Sequence, residues 1–384
     1  HSSNFEKDIR TNINGQLTYN IDSLNRINLS ARYSYNNYDE DSWSKSSTYH
    51  TQPDITEGLA ESLLGNTIDE TLKQKGVYSN YHSGLGDAHY HNASLDANYT
   101  HLFKKKGRTL DFSLGARYRE SNNEAHLWQE IRYFQTSVAE PERLVRRYGM
   151  GVQKAYNLDA GINYVDRLTE HIKMSASYRY VHAMSRGNEN LYNLDRYAAY
   201  RDPYLPLGHL PTAGDSLEYT RDSLNSQYAR EYNDQHSLRI SMLGQWEKWE
   251  AMVYPSLNLF HDRIYMERGG NIYEPKRTHL GLGLYSYVKY NINKQNYLQL
   301  NYNGRTSRPS LSQLLPISNT SDPMSETIYN PDLKAGWANS VDLYGRCSLA
   351  VDGGLGFSVV RLVKCKGCFI PSSVAEFYLV IEML

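Results

Sequence analysis

Cys365 and Cys368 form a CxxC pair, and the third cysteine, Cys347, lies 18 positions before Cys365. A closed zinc site takes four ligands, so these three do not make one. His82, His89 and His91 could chelate a cation. They fall where a loop is expected to enter a strand, and they read as surface histidines. Gly84-Leu85-Gly86 lies in an expected polar loop and Gly281-Leu282-Gly283 on an expected strand face, so neither is a phosphate loop. No Ser-His-Asp set, paired carboxylates or nucleophile elbow stands in a usable context. The sequence therefore offers no catalytic, metal or cofactor residues, and the chain is expected not to be an enzyme.

The chemistry left is non-covalent binding. Leu191 to Tyr219 is rich in rigid amphipathic aromatics beside cations. Tyr192, Tyr197, Tyr200, Arg201 and Tyr204 are the candidate ligand-contact residues, because such aromatics give binding area at low entropic cost. The alternative role for them is loop-loop packing. Lys104, Lys105, Lys106 and Arg108 surround Gly107 and read as a solvated turn. With a net charge of -1 and no basic patch interleaved with aromatics, nothing points to nucleic acid.

The elements that must position these residues are hairpins. In Asn12 to Tyr35, Ile13, Leu17, Tyr19, Ile27, Leu29, Ala31 and Tyr33 share one face, while Asn12, Gln16, Thr18, Asn28 and Arg32 share the other. Side chains on a strand alternate between faces, so each hairpin has an oily and a wet side. The pattern returns at 92–118 and at 156–180. A looser copy spans 236–260, in which Leu243 and Met252 fall on the polar side, and another spans 280–302. A further strand is expected from Ser340.

Turns inside hairpins are short, but the connections between them run to about 55 residues (36 to 91), about 35 (120 to 155) and about 50 (182 to 231). Strands of nine to eleven residues, aromatic ends and this short-long alternation predict an all-β, antiparallel transmembrane β-barrel. About eleven strands are expected, with short periplasmic turns and long extracellular loops. The 34 Tyr, against 8 Phe and 5 Trp, suit aromatic girdles. Segment 55–73 reads as a short amphipathic helix within an outer loop. A soluble Tyr-rich glycan-binding β-module is one alternative, and a passive surface barrel anchoring adhesion or docking loops is the other.

Residues 305–343 carry a Pro-rich pattern: Arg305, Arg308-Pro309-Ser310, Leu314, Pro316, Asp322-Pro323 and Asn330-Pro331-Asp332-Leu333-Lys334, leading into Ser340-Val341-Asp342-Leu343. Proline fixes φ and interrupts strand pairing, so this reads as an ordered external loop that shapes itself and registers the next strand or contacts a ligand, with Arg305 and Arg308 able to point into a lumen. The pattern resembles the barrel region of TonB-dependent outer-membrane receptors, in the outer membrane protein β-barrel family. A weaker likeness lies in Leu224, Asn225, Tyr232 and His236. The resemblance implies a Gram-negative outer-membrane receptor, surrounded by outer-membrane lipid, that imports a small-molecule, peptide or glycan ligand. It also implies TonB and an N-terminal plug as partners. No plug and no signal peptide are visible after His1, so the chain is expected to be the central or early part of a longer barrel. Residues 1–346 form the expected barrel part. The tail from 347 to 384 holds all three cysteines and loses the alternation. It is expected to be frameshifted, mis-assembled or artificially joined.

Overall fold

The computed structural model describes residues 2–50, 76–134, 142–293, 296–319, 327–330, 332–351 and 354–366. In chain order the strands are β1 (Ser2–Asn20), β2 (Asn25–Tyr49), β3 (Gly76–Leu102), β4 (Thr109–Tyr133), β5 (Glu142–Arg167) and β6 (Ile172–Asn193). They continue as β7 (Gln227–Gln245), β8 (Trp249–Arg268), β9 (Asn271–Tyr273), β10 (Lys276–Asn291) and β11 (Tyr297–Ser307). Last come β12 (Ser318–Asn319), β13 (Thr327–Ile328), β14 (Gly336–Val351) and β15 (Gly354–Lys366). One antiparallel sheet of 13 strands runs β1-β2-β3-β4-β5-β6-β7-β8-β10-β11-β14-β15, with β9 hydrogen-bonded to β8; β12 and β13 pair separately. Strand order follows chain order throughout, as a meander of hairpins requires. Among the described residues β1 and β15 are the two ends of this strand order.

At one end the strands are joined by short turns with a shared construction. The first turn residue donates its N–H to a carbonyl at the next strand's start: Ile21 to Asn25 (2.9 Å), Leu168 to Ile172 (2.9 Å), Trp246 to Trp249 (2.7 Å) and Ile292 to Asn296 (2.9 Å). Polar side chains lock these turns from within. Asp22 accepts from the Leu24 and Asn25 amides, and Thr169 from those of His171 and Ile172. Gly107 (φ 83°) supplies the left-handed residue in the turn between β3 and β4.

The register brings apolar residues of one parity side by side. Leu17 faces Leu29, Leu29 faces Ala97, Ala97 faces Leu114, and Leu114 faces Ala160. These side chains have no protein covering: Leu114 is 63% and Leu158 56% exposed. Soluble monomers rarely expose a continuous apolar surface of this kind, which marks a membrane or partner contact. Facing lipid, each such leucine avoids a hydration cost of about 1.5–3 kcal/mol. Aromatic pairs bound the band, with Trp249 and Tyr290 (ring centroids 4.6 Å apart) at the turn end and Tyr118 and Tyr156 (5.0 Å) at the other. On β5 the crossing stretch is therefore 156–164. Among the described residues no helix is long and apolar enough to cross a membrane; the crossing is made by strands.

One expectation needs correction. The strands run far past the band, to Tyr49 in β2 and from Gly76 in β3. Much of what reads as loop is thus paired sheet, including His82, Gly84-Leu85-Gly86, His89 and His91. Their residues are polar, so they lack the oily face that marks a crossing strand, but backbone pairing needs no oily face. Leu243 and Met252 lie on the lumen side, facing each other across β7 and β8. Beyond Arg346, β14 runs on through Cys347 to Val351 and pairs with β15, where Cys365 lies opposite Ser340. The helix expected at 55–73 lies outside the described residues.

Candidate ligand site on the lumen face

The polar face is held by a ladder of alternating charge. Arg117 on β4 bridges Asp96 on β3 (3.2 Å) and Asp159 on β5 (2.6 Å), and Asp159 also takes Arg179 on β6 (3.1 Å). Two cations thus alternate with two carboxylates over four neighbouring strands. Thr18 and Asn28 add a hydrogen bond of 2.9 Å on the same face.

The loop after β11 turns onto this face. Arg308 donates to the Asp262 carboxylate on β8. Its guanidinium carbon also lies 3.8 Å from the centre of the Phe260 ring, a cation–π contact. Arg277 on β10 donates to the Pro309 carbonyl (2.6 Å) and lies 3.7 Å from Asp262. Ser310 is fixed within the loop, its amide donating to the Gln313 side chain (2.9 Å). Leu311 and Leu315 are then buried against Ile264 and Met266. Asn330 closes the far side by accepting from the Asp332 amide (2.9 Å), while Leu333 donates to its carbonyl. Pro316 is exposed and Arg305 is exposed on the lumen parity of β11. Asp322, Pro323 and Pro331 lie outside the described residues.

Between this loop and strands β4 to β8 is a cavity of about 510 Å³, within the range of small-molecule sites. Arg119, Gln153, Glu189, Glu231, Arg268 and Tyr329 are among its walls. Arg119 is stacked on Tyr90, and Arg268 is tied to the Leu224 carbonyl (2.9 Å) and the Asn225 side chain (3.1 Å). Glu231 stays open to the lumen, yet the protein packed around it, and after that Asp262, raise its carboxyl above the usual range. Among the described residues no three His, Cys, Asp or Glu side chains gather to hold a metal. The site can bind by charge, hydrogen bonding and stacking.

The Tyr-rich loop is elsewhere. It contains the 3₁₀ turns Leu194–Arg196 and Ala198–Arg201 and the short helix α1 (Gly214–Tyr219). Tyr192 and Tyr200 are buried with Tyr148 and Leu194 in a small core. Tyr148 has the parity of Tyr156 and Leu158, so this core caps the outer flank of the sheet above the lipid band. Tyr197 donates to the Ser216 carbonyl (3.0 Å) and Arg201 to the Asp195 carbonyl (2.8 Å), while Tyr204 is 88% exposed. The residue that anchors the loop is Arg146, which the sequence does not single out. It is 1% exposed, donates to the carbonyls of Asp202, Leu205 and Pro206, and lies over Trp128 and Tyr200. Burial lowers its pKa from the ordinary arginine value, and burial, then Glu124, pushes the Tyr148 hydroxyl up to about 12.

An antiparallel meander with an uncovered apolar band and a charged inner face defines a membrane β-barrel chain. Residues 285–346 match the outer membrane protein beta-barrel family, and the resemblance read from Arg305 to Leu343 falls inside that stretch. The chain is an outer-membrane β-barrel chain of a Gram-negative bacterium. Similar solved structures include the ferric-catecholate import receptor Fiu from E. coli K12, at 10% identity and TM-score 0.40, covering 96% of this chain and 62% of that one. The ferric citrate transporter FecA is 10% identical at TM-score 0.39, over 94% of this chain and 51% of that one. BauA, the ferric preacinetobactin receptor from Acinetobacter baumannii, is 9% identical at TM-score 0.38, over 96% and 59%. The chain thus spans about half to three-fifths of these proteins. No curated protein sequence matches it.

Proposed function

We propose that the chain is barrel sequence of a TonB-dependent receptor that takes up a scarce nutrient. The observation that carries this reading is the Pro-rich loop, docked inside the polar face by Arg308 and Asp262 and leaving a ligand-sized cavity beneath it. A passive surface barrel has no need to fold such a loop inward. Uptake here needs no covalent step. The lumen groups hold the ligand, while a plug and TonB, implied by the family resemblance, gate the path and supply energy. The ligand class is a small molecule, peptide or glycan. Arg119 and Glu231, of opposite charge and both lining the cavity, favour a ligand with both charges or with several hydroxyls.

The test is accumulation of labelled ferric chelates, cobalamin, peptides and glycans by cells making the complete protein that contains this chain. One ligand should accumulate in cells with TonB and not in cells without it, and removal of residues 310–317 should abolish that uptake. Equal accumulation of every ligand with and without TonB would contradict the proposal.

A further inference from the structure

Five adjacent strands each place one cation on the lipid-facing parity at nearly one height. Lys154 lies 13 positions before Arg167, where β5 ends, and Arg186 lies 14 after Ile172, where β6 begins. Arg230 lies 15 before Gln245 on β7, Arg263 14 after Trp249 on β8, and Lys276 15 before Asn291 on β10. The register joins them directly: Lys154 faces Arg186, Arg186 faces Arg230, and Arg263 faces Lys276. The row begins just beyond Tyr156, at the outer rim of the apolar band.

Like charges directly opposite on neighbouring strands repel, and the protein compensates them only in part. Glu120 takes Lys154 (3.0 Å). Nearby Asp234 is held by His182 and Tyr180, and Glu267 by Tyr265. Arg230 stacks on Tyr228 and Arg263 on Tyr232, contacts that orient a guanidinium without neutralising it. Arg186, Arg230, Arg263 and Lys276 make no ion pair with a described residue. Height alone does not explain the row. At the same distance from the turns, β2, β3 and β4 present Asp39, Asp87 and Glu124 on this face.

We propose that this row is a docking surface for phosphate groups of a phosphorylated outer-leaflet lipid. Guanidinium forks match phosphate oxygens in pairs, and long basic side chains at the rim of an apolar band reach headgroups while their stems stay in lipid. The lipid assignment rests on the outward parity of these residues. Insertion into zwitterionic micelles tests that parity separately, because it depends on the leucine band and not on the row.

The test titrates the full chain, folded in phosphocholine micelles, with bis-phosphorylated lipid A, with its dephosphorylated form and with inorganic phosphate. The phosphorylated lipid should bind. The pair Arg186→Gln and Arg230→Gln should weaken it by about tenfold or more, while Arg186→Lys and Arg230→Lys should keep most of the affinity. If the first pair does not fold, Arg263→Gln with Lys276→Gln reads the same surface from other strands and should also weaken binding. Undiminished affinity in a folded glutamine pair, equal binding of the dephosphorylated lipid, or displacement by inorganic phosphate at matched concentration would each overturn the proposal.

Discussion

Arg308 donates to Asp262 across 46 residues of chain, and this bond ties the loop after β11 to strand β8. Beyond Pro309, Leu311 and Leu315 reach Ile264 and Met266, and Ser312 and Ile317 form part of the cavity lining. A double-mutant cycle of Arg308→Ala and Asp262→Asn should give a coupling of about 1–3 kcal/mol. It would be read from hydrogen exchange in residues 308–317. Additive single effects would mean that the loop is held by its apolar side chains alone.

Leu315 is 2% exposed and has no polar role of its own. Leu315→Ala should cost about 2–5 kcal/mol of loop docking. The amide of Leu315, which donates to Ser312 (3.2 Å), should lose its exchange protection while amides of β3 to β6 keep theirs.

Arg146 satisfies three loop carbonyls from one buried guanidinium. Arg146→Leu removes the charge but leaves those carbonyls unpaired, at about 1–3 kcal/mol each. The loop 194–226 should then become a preferred site of limited proteolysis, with the first cut between 198 and 210 and the strands intact.

Asp166 lies at the turn end of β5, beyond the crossing stretch, where Arg108 and Lys105 both reach it at 2.8 Å. The hydrogen bond from Arg108, then that from Lys105, hold its pKa down at about 2. A carboxyl lowered on folding stabilises the folded state above its unfolded pKa, and the contribution fades as pH falls from about 4 toward 2. Carboxyl NMR titration should place Asp166 near the lower value, and Arg108→Ala should move it up. An unchanged midpoint in that variant would mean that Arg108 is not the principal cause.

The fold was legible wherever a crossing strand must have an oily face. Leu17, Leu29, Leu114 and Leu158 alternate because lipid and water lie on opposite sides of one sheet. Above the band both faces meet water or loop, so Tyr38, His82 and Gly84 sit in strands with no periodic signature. Leu243 and Met252 break the alternation because they pair on the lumen side, a cross-strand relation that one strand's sequence does not carry. The motif at Arg308-Pro309-Ser310 was readable as an ordered loop, but its anchors Asp262 and Arg277 lie on other strands and have no local signal. Tyr192 and Tyr200 are buried in the loop's own small core, and composition alone does not separate buried tyrosines from binding ones. Arg146 was silent for the converse reason, since an arginine in a polar stretch reads as solvated.

The central claim is that one parity of this sheet meets lipid and the other an aqueous lumen. Spin labels on single cysteines, in a background without Cys347, Cys365 and Cys368, test it at Leu114, Leu158 and Leu238 against Ser113, Asn157 and Arg239, in folded protein reconstituted into bilayers. Collision with oxygen should dominate at the three leucines and collision with a water-soluble nickel chelate at their neighbours, alternating with a period of two residues. Equal exposure of both sets to the nickel chelate would contradict a membrane-crossing barrel.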